Sequence, residues 1–220
     1  VLSVGAGVNG IVLGAKLGQL GIEYTIVEKN KDVGGTWLEN SYPGCGVDTP
    51  NHAYSLSFGQ RYRWSRYFAL RDEIQDYLKR CANEFSVRSH IRFQTTLMSA
   101  RWIESDQCWE AELEGPAGKD RFRSGFLVSA IGQFNQPRKP TIPGWESFQG
   151  DAFHSAHWPA DLDVTNQRVS IIGTGASAMQ IAPSIAKQVE SLMIYQRTPQ
   201  WVRPIPGYGE SIPPGAQWLL

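Results

Sequence analysis

The sequence predicts an α/β protein made of two Rossmann-like dinucleotide-binding domains, the first carrying an antiparallel β-meander as an insertion. Three observations carry this reading. A glycine-rich turn, GAGVNG, opens a helical pattern directly after an apolar strand. A second turn of the same kind, GTGASA from Gly173, repeats that context. Between them lies a block of short strand-like runs that closes on the fully apolar FLVSAIG.

Val1 to Val4 read as a buried strand, and the helix after it places Ile11, Ala15, Leu17 and Leu20 on one apolar side. YTIVEK is the next strand and ends on Glu28. A loop rich in glycine, proline and aromatics runs from Gly34 to about Arg66, and its length and aromatic content mark it as ordered and functional. Leu70, Ile74, Tyr77, Leu78, Cys81 and Phe85 recur at helical spacing and predict an amphipathic helix. The runs TTLMSARWIE, CWEAELEG and DRFRS, with Gly-Pro-Ala-Gly between the last two, predict the meander, and FLVSAIG returns to a buried parallel strand. The proline-rich QPRKPTIPGW is a stiff exit. Residues 1–140 are therefore expected to form the first domain, 141–160 a junction, and 161–220 the start of the second, with its strand from Arg168 to Ile172, its helix from GTGASA, and SLMIYQR. Both ends read as cut, VLSV lying already inside a strand and QWLL following soon after the second pattern begins.

With 220 residues, 41% of them apolar, the chain can bury a substantial core. Its 21 basic and 21 acidic side chains cancel and form no basic block, which argues against a nucleic-acid or lipid-surface partner. No apolar run approaches the roughly 18 residues of a membrane helix. Cys45, Cys81 and Cys108 are odd in number and lack metal-ligand spacing, so no metal site is expected and a reduced, cytoplasmic protein is.

In the first fingerprint Gly5 permits a tight turn, Gly7 lets the backbone approach a pyrophosphate at the helix N-terminus, and Gly10 allows close packing of helix on strand. Glu28 is placed to accept hydrogen bonds from a ribose diol. In the second, Gly173, Thr174, Gly175, Ala176 and Ser177 form the loop, with Ala178 at the third glycine position. The residue matching Glu28 is Gln196, followed by Arg197 and Thr198. A carboxylate there would repel a 2′-phosphate, whereas a guanidinium beside a hydroxyl binds one. One grip suited to a free ribose and one to a phosphorylated ribose imply FAD and NADPH together, hence a flavoprotein oxidoreductase. Trp37 stands where disulfide reductases of this architecture place the first redox cysteine, and Cys45 has no local partner, which excludes a dithiol mechanism.

Two longer motifs are more specific. Gly34, Gly35, Trp37, Tyr42, Pro43, Gly44 and Asp48 fill [Gly/Ala]-Gly-x-Trp-x-x-x-x-[Tyr/Phe]-Pro-Gly-x-x-x-Asp, and Phe148, Gly150, His154, Trp158 and Pro159 fill Phe-x-Gly-x-x-x-His-x-x-x-Trp-Pro. In both the chain resembles the type I Baeyer–Villiger monooxygenases, and CGVDTPNHAYS looks most like their hydroxyacetophenone branch. The resemblance implies NADPH- and O2-dependent conversion of a small ketone to an ester or lactone through a peroxyflavin. It implies that Gly35, Thr36 and Trp37 line the flavin with Tyr54 nearby, and that Gly46, Val47 and Asp48 face the nicotinamide. It also implies that Thr174 to Gln180 cradle the NADP pyrophosphate, and that Asp48 is the catalytic carboxylate, pairing with an arginine expected beyond Leu220. His154 and Trp158 are expected to couple the two domains. The alternatives are an N- or S-oxygenating flavin monooxygenase and a non-catalytic dinucleotide-binding fragment.

Overall fold

The structure, a computed structural model, describes residues 1 to 219. The chain divides into two compact units, one made of Val1–Leu38 and Gln75–Asn135, the other of Glu39–Ile74 and Gln136–Leu220.

The first unit is built on a four-stranded parallel sheet in the order β3-β2-β1-β7, from Ile91–Arg92, Thr25–Val27, Leu2–Val4 and Leu127–Ser129 respectively. Strands of such a sheet are covered on both faces, so their short apolar runs lack polar alternation. Helix α1, Val8–Gln19, connects β1 to β2 and buries Gly10, Ile11, Gly14 and Ala15. The helix stops where Gly21 takes φ +66°, with the Gly21 and Ile22 N–H groups donating to Gly18 and Leu17 carbonyls. Leu20, expected on the apolar side, therefore falls beyond the last turn and is 72% exposed.

The meander forms as β4 (Thr96–Ile103), β5 (Cys108–Gly115) and β6 (Gly118–Ser124), with the last two joined by the two-residue turn Pro116-Ala117. Alternation along β5 sends Ala111 and Leu113 inward and leaves Glu112 and Glu114 exposed. The inward pair packs with Leu2 and Val27 of the parallel sheet, surrounded by Leu97, Ala100, Phe122 and Leu127. One apolar cluster thus fixes the insertion to the sheet that carries the first fingerprint.

The second unit holds β8 (Arg168–Ile172), α5 (Ala176–Ile185) and β9 (Ser191–Tyr195), a parallel pair with its crossover helix, and ends in α6, Pro214–Leu219. The long loop contributes two single-turn helices, α2 (Thr36–Glu39) and α3 (Asn51–Tyr54). Its order comes from buried side chains whose hydrogen bonds span the loop. Asn51 donates from Nδ2 to the Arg66 carbonyl at 2.6 Å and accepts the Ala69 N–H on Oδ1 at 2.9 Å. Trp64 is 1% exposed and its Nε1 donates to Ser55 Oγ. Helix α4, Arg71–Glu84, buries Ile74, Tyr77, Leu78 and Cys81 as the periodicity predicts, while Leu70 precedes its first turn and stays exposed. The loop residues 39–74, which a linear reading leaves in the first domain, group with the second unit. Among the described residues no helix is long and apolar enough to cross a membrane.

Candidate functional site

Each unit presents one helix N-terminus that follows a strand and a glycine turn, and the fit of each to a phosphate-bearing ligand can be tested on its geometry. In the first, the chain leaves β1 and turns on Gly5 at φ +102°, with the Gly5 N–H donating to the Val27 carbonyl at 2.8 Å. The first intrahelical bond of α1 is Ile11 N–H to Gly7 O, 3.0 Å, so the N–H groups of Val8, Asn9 and Gly10 have no acceptor within the helix. No acidic side chain stands in that turn. The first turn of the helix thus supplies no carboxylate of its own against the positive end of its dipole. A Cβ on Gly10 would collide with the Gly5 carbonyl oxygen, and one on Gly35 would lie 3.0 Å from Gly7 Cα, so bare backbone forms the floor of the turn. Glu28 is 4% exposed and accepts the Ala6 N–H on Oε2 at 2.7 Å and the Asn30 N–H on Oε1 at 2.8 Å. Each carboxylate oxygen keeps a further lone pair for a sugar hydroxyl. The donor set and the side-chain-free floor fit an FAD pyrophosphate and ribose.

The adjoining loop is pinned from outside the fingerprint. Asp32 accepts from Arg88 Nη1 at 2.6 Å and the Val33 N–H at 2.9 Å, and pairs with Lys79 Nζ at 3.2 Å. Burial works to raise its carboxyl, but the Arg88, Val33 and Lys79 contacts prevail and hold it below the usual range. Gln75 Nε2 donates to the Val33 carbonyl at 2.6 Å, while its Oε1, buried against Gly34, has no donor among the described residues. Trp37 is buried on α2, its N–H donating to Gly34 O at 3.1 Å, and Thr36 is exposed.

The second grip repeats the first bond for bond. Gly173 has φ +108° and donates to the Tyr195 carbonyl at 2.8 Å, and Met179 N–H closes on Gly175 O at 3.0 Å. Gly175 caps α5 at φ −75°, ψ −176°, as Gly7 caps α1 at φ −75°, ψ −165°. The N–H groups of Ala176, Ser177 and Ala178 are left for an anion, again with no acid in the first turn. The difference is at the end of the following strand. Gln196 occupies the place of Glu28 and donates from Nε2 to Thr174 Oγ1 at 3.0 Å. Arg197 and Thr198 beside it are exposed, and Arg197 has no carboxylate partner among the described residues. This neutral-to-cationic corner fits a 2′-phosphate.

The Tyr42–Asp48 stretch lies in the same unit as the second grip. Tyr42 Oη donates to Gln180 Oε1 at 3.1 Å and accepts from Ser177 Oγ at 3.2 Å. Gln180 Nε2 donates to the Gly46 carbonyl at 2.8 Å and to Tyr208 Oη at 3.3 Å. The amide of Gln180, read from sequence as part of a pyrophosphate cradle, is thus engaged by protein on both ends. Burial pushes the Tyr42 phenol up to about 12, and it pushes the buried Cys45 thiol up as well. Gly44, at φ +78°, has room for no side chain: a Cβ would strike Ser184 Oγ and lie 2.6 Å from the Gln180 carbonyl oxygen. On its other side the stretch pairs with residues 69–71, through Val47 N–H to Ala69 O at 3.1 Å and Arg71 N–H to Cys45 O at 2.8 Å. Val47 is buried, Asp48 is exposed and pairs with no cation among the described residues, and Tyr54 ends α3 half-buried. The partners that fix Tyr42 lie 135 and 138 residues away, so no local pattern could have shown them.

In the junction, His154 caps a single 3-10 turn, Ser155–His157, by accepting the Ala156 N–H on Nδ1 at 3.1 Å. Burial, helped by the neighbouring His157, lowers its pKa and favours the neutral ring that this bond requires. Trp158 packs edge-on against Phe153 with centroids 5.3 Å apart. The Phe148 ring lies over Gly150, where a Cβ would come within 2.7 Å of it. Pro159 follows, exposed.

Comparison with known proteins places this geometry in a family. The model of the flavin-binding monooxygenase-like family matches residues 1–206. A Baeyer–Villiger monooxygenase of Streptomyces coelicolor is 41% identical over 205 residues, covering 93% of this chain and 39% of the relative. The 2-oxo-Δ3-4,5,5-trimethylcyclopentenylacetyl-CoA monooxygenase of Pseudomonas putida is 39% identical over 213 residues, covering 92% and 38%. Among solved structures, OTEMO in complex with FAD and NADP matches 99% of the chain at TM-score 0.90 and 36% identity, over 42% of its own length. Open cyclohexanone monooxygenase matches 99% at TM-score 0.91 and 32% identity, over 43% of its length. The chain spans about two fifths of the proteins it matches. With a family model covering all but the last residues, the chain belongs to the flavin-binding monooxygenase-like family.

Proposed function

We propose that this chain is the coenzyme-gripping part of a Baeyer–Villiger monooxygenase that uses FAD, NADPH and O2 to convert a small ketone to an ester or lactone. The observation that carries the reading is the pair of matched helix N-termini with opposite electrical character at equivalent corners, Glu28 in one and Gln196-Arg197 in the other. The complete Gly34–Asp48 motif narrows the class, and relatives named as Baeyer–Villiger monooxygenases support it.

In this reading the free N–H groups of Val8, Asn9 and Gly10 hold the FAD pyrophosphate, and Glu28 orients its ribose. Ala176, Ser177 and Ala178 N–H groups hold the NADP pyrophosphate, and Arg197 with Thr198 takes the 2′-phosphate. Bound together, the two coenzymes supply hydride transfer and oxygen activation. Thr36 and the buried Trp37 stay close to the flavin end, the latter excluding water. Asp48 offers its exposed carboxylate to a cationic partner, whose charge it tunes. His154, neutral and bonded through Nδ1, keeps its other ring nitrogen as a donor.

The test is turnover of the full-length protein with NADPH, air and a panel holding a cyclic ketone, an aryl ketone, a tertiary amine and a thioether. Ester or lactone in the extract, by mass spectrometry, is the expected result. Oxygenation of the amine or thioether alone assigns the chain to the N- and S-oxygenating branch instead, and NADPH consumption by none of them contradicts the proposal.

A further inference from the structure

Tyr42 belongs to the most specific motif in the chain and Gln180 bonds to it, and both side chains are engaged by protein partners. Gln180 uses both N–H groups and its carbonyl on protein partners, on Gly46 O, Tyr208 Oη and Tyr42 Oη. Tyr42 Oη donates to Gln180 and accepts from Ser177. The bonds form a closed path from the first turn of α5, through Ser177 Oγ and the phenol, to the Gln180 amide and the Gly46 carbonyl. At its start is the Ser177 backbone, one of three N–H groups left for an anion. At its end is the stretch leading to Asp48.

We propose that Tyr42 and Gln180 are positioning residues that couple occupancy of the α5 N-terminus to the conformation of residues 42–48. The inference rests on the reading of the second grip as the NADP site. Three features of the fold support it. Gly44 admits the helix to backbone contact, since a Cβ there would meet the Gln180 carbonyl oxygen at 2.6 Å. Residues 45–47 are held on their other edge by Ala69 and Arg71, so a shift of α5 must be taken up by the stretch between. The phenol, pushed up to about 12 by burial, stays a donor at every working pH. Anion binding at the helix N-terminus draws on Ala176 to Ala178, and Ser177 carries that restraint into the path. A serine that only capped a helix, or a glutamine that only lined a phosphate, would leave residues 42–48 indifferent to the coenzyme.

Hydrogen exchange followed by mass spectrometry in the full-length, FAD-loaded protein separates these cases, because Cys45 and Val47 carry hydrogen-bonded N–H groups that report on the stretch. In the wild type, saturating NADP+ is expected to slow exchange both in the first turn of α5 and in residues 42–48. In Gln180→Ala the slowing in α5 persists, while the slowing in 42–48 falls by about fivefold or more, the lower end of ordinary coupling between sites. Tyr42→Phe, which keeps the ring and removes only the hydroxyl, gives the same loss with native melting behaviour and guards against a variant that merely unfolds. Undiminished protection of 42–48 in both variants overturns the proposal and leaves the function reading intact. Absence of NADP+ binding by the wild type overturns the function reading and this proposal with it.

Discussion

Gly44 concentrates the constraints of the site in one residue. Its φ of +78° and the fixed backbone oxygen of Gln180 both exclude a side chain. Gly44→Ala is therefore expected to destabilise the fold by about 2–3 kcal/mol, from left-handed strain and overpacking together. A urea titration checks this, and a midpoint equal to the wild type would show that α5 and the motif do not meet as described. Glu28 works by charge and geometry at once. Glu28→Gln puts an N–H against either the Ala6 or the Asn30 N–H, and loss of one charge-assisted bond should weaken FAD retention by roughly 10- to 100-fold. Flavin absorbance of the purified variant after dialysis measures the effect. Glu28 was legible in the sequence because its spacing from Gly5 is set by a single βαβ unit. Asn51, Gln75 and the Tyr42 hydroxyl were not, since their partners lie 15 to 138 residues away and a buried amide looks like any other in one sequence.

At the scale of elements, helices and strands followed their apolar periods wherever burial was one-sided. The α4 stripe and the β5 alternation formed as the pattern predicts. Periodicity failed at ends: Gly21 at φ +66° closes α1 after Gln19 and leaves Leu20 outside it, and α4 starts only after Leu70. The loop from Gly34 to Arg66 was legible as ordered, but its two single-turn helices were not, because a single turn shows no apolar repeat and the bonds of Asn51 and Trp64 around α3 are not written in a period. The segment ahead of this loop depends on Asp32, which joins it to α4 and to Arg88. The Asp32 carboxyl is held below its usual value of 3.8, so the ionised form binds better folded than unfolded. Its stabilisation is full above about pH 5 and is lost as pH falls through the unfolded value to below the lowered folded value. Asp32→Asn should cost about 1 kcal/mol at neutral pH, as partly exposed pairs do, and should flatten the fall in melting temperature below pH 4. An unchanged acid limb would remove Asp32 from the account.

On the scale of the whole chain, two units each repeat strand, glycine turn, helix and strand, and the repeat was plain in the sequence because both copies keep the same local context. The excursion of residues 39–74 into the second unit was hidden, since its bonds to Ser177 and Gln180 are entirely non-local. Duplication with an inverted charge at one corner is the central claim, and coenzyme preference measures it directly. Anaerobic titration of the full-length protein should show a yellow flavin bleached by NADPH at a concentration at least about tenfold below that needed with NADH, with Arg197→Ala narrowing the gap. A colourless protein, or bleaching by NADH and NADPH at equal concentration in the wild type, would contradict it.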